Sequence, residues 1–280
     1  MNLIGYFSIF FFFYPPYACT IQCHVCETHV YDHPVTSNDL SFPTEEECHI
    51  VLAHHGCYIL VEWYGDGRSV VSYNTDQAVP YDSVTTIIER QMTTATGKYE
   101  TRKSIGYGCK SSQTACNDID HIKRLMDLVT FPILNKIEQF DYLLTPMMNF
   151  NAHSCTQISN MKNCSQTNRT TCRQCLSTIR YSDQVDICSS CVSDEPKRNY
   201  FIYRTTFRVD MGSRVDEIKV ICQNGEICST TVSIEQIRQN LTTELNSWEF
   251  HRSVATTMRP VHNYLLYLTS FIGILRFTHK

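Results

Sequence analysis

The chain has 280 residues, 42% of them hydrophobic, and a formal net charge of −4 from 24 Lys and Arg against 28 Asp and Glu. Its basic residues are scattered instead of forming the cationic stripe that a nucleic-acid backbone needs, so nucleic acid is excluded as a partner. Fifteen cysteines are too few for a scaffold held by disulfides alone, and the length suits about two domains of ordinary size, so apolar cores and bridges are expected to share the stabilisation.

Residues 3–13, LIGYFSIFFFF, form an apolar run of signal-peptide length that is too short to cross a bilayer. Cleavage is expected between Ala18 and Ile21, which makes residues 1–20 a signal peptide. No charged residue precedes the run, so an uncleaved anchor is the alternative. In an oxidising compartment thiols pair with one another instead of holding zinc or cycling between redox states. Removal of Cys19 leaves fourteen of the fifteen cysteines, an even set that can pair completely.

The mature start reads IQCHVC, Ile21 to Cys26, and the first half carries Cys23, Cys26, Cys48, Cys57, Cys109 and Cys116, the last followed by Asn117. Residues 56–73, GCYILVEWYGDGRSVVSY, predict two β runs meeting at a glycine-flanked turn, a hairpin. Residues 84–92 and 98–108, separated by Ala95-Thr96-Gly97, predict a second hairpin. Trp63, Tyr64 and Arg68 stand beside the first turn and are residue types that make interface hot spots, so they are the candidate partner-binding residues. For Trp63, core packing competes with that role. His54 and His55 are adjacent, and neighbours cannot face one metal from a regular helix or strand, so they are expected to be surface residues without an essential role.

Three stretches resemble the three-finger family of snake toxins, complement-regulating surface antigens and the urokinase receptor: IQCHVC at the mature start, GCYILVEW opening a finger, and GCKSSQTACN closing on Cys-Asn. The resemblance covers about residues 21–117. It implies a small β domain whose fingers project from a disulfide-knotted base, with Cys23 bonded to Cys57, Cys26 to Cys48, and Cys109 to Cys116. The family usually carries more cysteines than the six of this unit, and the gap between Cys57 and Cys109 is long.

Between residues 118 and 150 the period changes, with Ile119, Ile122, Leu125, Met126 and Val129, then Ile133, Ile137, Phe140 and Leu144 beyond Pro132. This predicts a broken amphipathic helix pair, a connector packed on a domain, with a partner-binding helix as the alternative. The second half, residues 151–250, carries Cys155, Cys164, Cys172, Cys175, Cys188, Cys191, Cys222 and Cys228. Its order of CxxC pairs, long β-prone stretch and closely spaced final cysteines parallels the first half. Residues 200–209 and 215–221, around a turn at Asp210 to Ser213, predict its hairpin. Two tandem units is the reading; one diverged domain sharing only its use of cysteine is the alternative. Carrying the family nesting over implies Cys172 with Cys191, Cys175 with Cys188, Cys222 with Cys228, and Cys155 with Cys164. Ile234, Ile237, Leu241, Leu245 and Trp248 share one helical face, with Ser233 to Gln236 as a capping box.

The spacing of Cys172, Cys175, Cys188 and Cys191 would suggest zinc in a cytosolic chain, and Cys23-His-Val-Cys26 resembles a redox pair, but no strand precedes it to place it at a helix start. No GxSxG elbow or phosphate loop occurs. No catalytic residue, metal or cofactor is therefore expected. Sequons mark Asn163, Asn168 and Asn240 as glycosylation candidates, and Asn240 faces away from the apolar stripe of its helix. In residues 251–280 the apolar tail Tyr264 to Phe277 follows the small residues Ser253 and Ala255 and a polar spacer, the arrangement of a lipid-anchor signal. A short membrane segment and a packed C-terminus are the alternatives. The expected fold class is α+β: two disulfide-bonded antiparallel β units of three-finger type, each followed by an amphipathic helix. The expected role is that of an extracellular, non-catalytic surface-binding protein with an unknown protein partner. A secreted enzyme or enzyme inhibitor with a site between the units is the alternative.

Overall fold

The structure is a computed structural model describing residues 21–44, 46–75, 81–110, 115–146, 150–162, 164, 169–193, 197–209, 211–228, 230–246 and 248–250. The expected signal peptide, Asn163, Asn168, Ser253, Ala255 and the C-terminal tail lie outside the described residues.

The strands of the first half are β1 (Ile21–Cys26), β2 (His29–Tyr31), β3 (Cys48–Ala53), β4 (Cys57–Tyr64), β5 (Ser69–Thr75), β6 (Ser83–Thr93) and β7 (Tyr99–Cys109). In β4 and β5 the inward residues Cys57, Ile59, Val61, Val71 and Tyr73 are buried and alternate with half-exposed ones, the period-two pattern of a one-sided strand pair. Gly67 turns this hairpin at φ 90° and Gly97 turns β6 into β7 at φ 65°, a backbone region that glycine enters at little cost.

A helical layer follows: α1 (Ile119–Leu128), a short strand β8 (Val129–Thr130), α2 (Leu134–Glu138) and α3 (Asp141–Leu144). Asp118 caps α1, its carboxylate accepting from the His121 backbone N–H at 3.0 Å and contacting the ring Nδ1 at 2.7 Å. Pro132 stands in the break before α2. The second half supplies β9 (Ile158–Ser159), β10 (Gln174–Tyr181), β11 (Val185–Val192), β12 (Arg198–Arg208), β13 (Ser213–Cys222), α4 (Gly225–Cys228), α5 (Thr231–Asn240) and β14 (Glu244–Leu245). Gly212, at φ 60°, turns β12 into β13.

The expected α+β fold of two separate β units, each followed by an amphipathic helix, is corrected: the protein is mostly β, with 46% of the described residues in strands and 20% in helices. Ten strands form one antiparallel sheet in the order β2-β5-β4-β7-β6-β12-β13-β10-β11-β9. The seam is β6 against β12, paired from Thr93 opposite Arg198 to Ser83 opposite Arg208. It is extended at both ends, where Thr94 donates to the Lys197 carbonyl at 3.2 Å and Val209 to that of Asp82 at 2.9 Å. Each of these long strands alone would leave a row of unpaired backbone groups; side by side they satisfy one another. The outer edges end in short strands, β2 and β9, and β1 pairs with β3 as a separate two-stranded ribbon.

One sheet face carries the core and the other is solvated. Ile137, Phe140, Leu143 and Leu144 of the helical layer pack with Ile88 and Met92 of β6 and Phe201 and Tyr203 of β12, so the connector lies across the seam. Ile122 and Leu125 of α1 join Ile59, Val61, Ile105 and Tyr107 in a second cluster, and Phe131 packs against both. The solvated face is laced by cross-strand ion pairs, Arg102 with Glu62 and Glu89, and Arg204 with Glu217.

The second helical expectation is also shortened. Thr230, not Ser233, caps α5, its hydroxyl accepting from the Ser233 N–H. The helix stops at Asn240, after which β14 pairs with β8, returning Leu245 and Phe250 to the core of the first half. Trp248 is 69% exposed.

Seven bridges join Cys23 to Cys57, Cys26 to Cys48, Cys109 to Cys116, Cys155 to Cys175, Cys164 to Cys188, Cys172 to Cys191, and Cys222 to Cys228. The family nesting fails at two of them, since Cys155 does not take Cys164 and Cys175 does not take Cys188. The reason is the register of β10 and β11. Cys175 stands opposite Cys191, whereas Cys188 stands opposite Thr178, an odd number of residues from Cys175's side of the pleat. Cys175 and Cys188 therefore point to opposite faces of the sheet and no bridge can join them.

Candidate functional site

A cleft of about 780 Å³ lies at the tips of the two hairpins of the first half, lined by Tyr64, Arg68, Arg90, Tyr99, Arg102 and Arg198 and by Leu134 and Glu138 of α2. The tips are tied together. The Gly65 N–H donates to the Thr101 carbonyl at 2.8 Å, an approach so close that a Cβ on Gly65 would sit 3.1 Å from that oxygen.

Arg90 is the buried anchor. Its guanidinium donates to both Asp141 carboxylate oxygens, at 2.8 and 2.7 Å, and to the Thr101 hydroxyl at 2.7 Å, and it lies 5.0 Å from the centre of the Tyr99 ring. The hydrogen bonds it donates to Asp141 raise its pKa above the already high arginine value. Arg102 bridges Glu62 and Glu89. Lys98 and Gln91 both donate to Glu100, at 3.1 and 3.0 Å, and the Lys98 hydrogen bond leads the effects that hold the Glu100 carboxyl below its usual range. Arg68 donates to Asp66 through its side chain at 2.8 Å and through its backbone at 3.1 Å, and that backbone bond is the main reason the Asp66 pKa is lowered. The Arg68 guanidinium lies 5.6 Å from the Tyr64 ring centre, and Arg198 donates to Gln91 while lying 5.6 Å from the Tyr200 ring centre.

The acids of the cleft each stand against a cation: Asp66 against Arg68, Glu89 against Arg102, Glu100 against Lys98, and Glu138 within 4.0 Å of Arg90. What the cleft offers is flat tyrosine faces, each with an arginine alongside, and a half-exposed leucine. Such residue types are common at recognition surfaces.

Of the expected partner-binding residues, Tyr64 and Arg68 line the cleft. Trp63 points to the other side of β4, where its indole N–H donates to the Val35 carbonyl at 2.9 Å and its ring meets Phe131 edge-on at 5.9 Å. Tyr99, Arg102 and Arg198 were not singled out by sequence, because only the pairing of β4 with β7, β7 with β6, and β6 with β12 brings them to the same cleft as Tyr64. His54 and His55 are exposed in the bend between β3 and β4. The sulfurs that could have formed a zinc site are distributed over three different bridges. Where sulfurs do crowd, at Cys57, Cys109 and Cys116 and at Cys155, Cys172 and Cys191, the cause is neighbouring disulfides. Asn240 is exposed at the end of α5.

Seven disulfides suggest a protein that folds in an extracellular, oxidising setting. No helix among the described residues is long and apolar enough to cross a membrane. Many disulfides on antiparallel strands are compatible with a three-finger-like arrangement, yet no known protein family, curated protein or solved structure matches the chain.

Proposed function

We propose that this is an extracellular, non-catalytic interaction protein whose first half is three-finger-like and whose contact surface is the cleft between the two hairpin tips. The observation that carries this reading is the cleft's composition. Tyr64, Tyr99, Arg68 and Arg198 border it, and its acids are already engaged by cations of the same wall. Partners of a polypeptide nature suit such a wall, since tyrosine and arginine supply apolar contact, stacking and hydrogen bonds together.

The test is a screen of the secreted protein, displayed in multivalent form, against an array of cell-surface ectodomains. The hits are then repeated with Tyr64→Ala and Arg68→Glu. Hits that weaken at least tenfold, with secretion and bridges unchanged, support the cleft. Hits indifferent to both substitutions, or hits lost on changing His54 or His55 to Ala, overturn it. Turnover of an array protein by the wild type would favour the enzyme reading instead.

A further inference from the structure

We infer that Asn240 is an N-glycosylation site, with the glycan standing on the solvent side of α5. The inference rests on the extracellular reading, because the sugar donor is met only along the secretory route.

The sequence Asn240-Leu241-Thr242 satisfies the acceptor rule, and the structure supplies what the rule cannot. Asn240 is the last residue of α5 and is exposed, as is Thr242, while Leu241 between them is fully buried. The acceptor amide and the hydroxyl that marks it therefore stand on one outer surface, fastened from beneath by the middle residue. The Asn240 Nδ2 donates to the Gln236 carbonyl at 2.8 Å, and the Thr242 hydroxyl donates to the Arg238 carbonyl at 2.8 Å. A carboxamide nitrogen has two N–H groups, and one is used by Gln236. Glycosylation replaces a single hydrogen, so the bond to Gln236 can persist with the sugar in place and no buried group is displaced.

The transfer uses a lipid-pyrophosphate-linked oligosaccharide as co-reactant. The amide nitrogen bonds to the anomeric carbon and loses one proton, while the bond from that carbon to the pyrophosphate oxygen breaks and its electron pair leaves on the phosphate.

The experiment expresses the full chain in secreting animal cells and treats the purified protein with a peptide N-glycosidase, which converts a glycosylated Asn to Asp. Peptide mass analysis then reads the residue at position 240. Conversion is expected in wild type and in Thr242→Ser, which keeps the hydroxyl, and not in Thr242→Ala. Protein that is secreted and fully bridged but carries unconverted Asn240 overturns this inference and leaves the extracellular reading intact. Protein that is retained inside the cell with free thiols overturns both.

Discussion

Arg90 is the side chain that the cleft can least do without, since it is 8% exposed and its charge is compensated chiefly by Asp141 at 2.7 Å, with Glu138 at 4.0 Å. Removing one partner of such a pair leaves a buried charge, which is more damaging than the pair is stabilising. Asp141→Ala is therefore expected to cost about 3 kcal/mol in urea unfolding without reductant, and adding Arg90→Met should recover part of the loss. A second residue-scale prediction concerns Asp118. Burial acts to raise its pKa, but the hydrogen bonds from the His121 ring and backbone prevail and hold it below the usual carboxylate value. Because the folded pKa is depressed, the unfolded chain takes up the proton first as pH falls. The cap's contribution is then present above about pH 4 and lost as pH drops through the folded value. Asp118→Ala should cost about 1 kcal/mol near neutrality, and its difference from wild type should shrink in acid. A difference that grows in acid would contradict the assignment. Tyr64 and Arg68 were legible because a glycine-flanked turn exposes its neighbours; Tyr99 and Arg198 were not, because cross-strand register decides who stands beside whom.

At the scale of elements, the three hairpins turned by Gly67, Gly97 and Gly212 were readable, since positive φ leaves a glycine in the sequence and β-branched runs flank it. The β10–β11 hairpin was missed. Its strands carry few apolar residues among serines and cysteines, and Leu176 and Ile179, three residues apart, fall on opposite faces of β10, so no period-two apolar run marks the strand. That miss led directly to the wrong bridges, because only the pairing of Cys175 with Cys191 shows that Cys188 faces the other way. Peptide mapping of the secreted protein should find Cys155 with Cys175 and Cys164 with Cys188. Recovery of Cys155 with Cys164 would mean that β10 and β11 pair in another register. The seam was equally illegible, since a hairpin's sequence does not say what lies along its outer edge. It has a direct measure in hydrogen exchange. Backbone amides of Ile88 and Tyr203, which face each other at its centre, should exchange as slowly as those of Ile105 and Ile218 in the strands behind them. Exchange at the rate of a solvated edge would restore two independent units.

The whole molecule is held by two kinds of long-range closure acting on different parts of the chain. The seven bridges stay within their own halves, whereas the seam, the helical layer across it and the return of the C-terminal segment join one half to the other. This return changes how surface attachment is to be pictured. Phe250 is fully buried and meets Tyr107 edge-on at 5.8 Å, so the chain just before Ser253 is seated on the first half and is not a projecting helical stalk. A lipid attached at Ser253 or Ala255, as the small residues, polar spacer and short apolar tail propose, would then hold the body itself close to the bilayer, on the side where α1 and β8 receive β14. A phosphatidylinositol-specific phospholipase should release the protein from expressing cells, and Phe250→Ala, which loosens the seat without touching the attachment residues, should leave that release unchanged while lowering thermal stability. Protein that stays in the membrane fraction after treatment, or is found in the medium before it, would rule out a lipid at these residues.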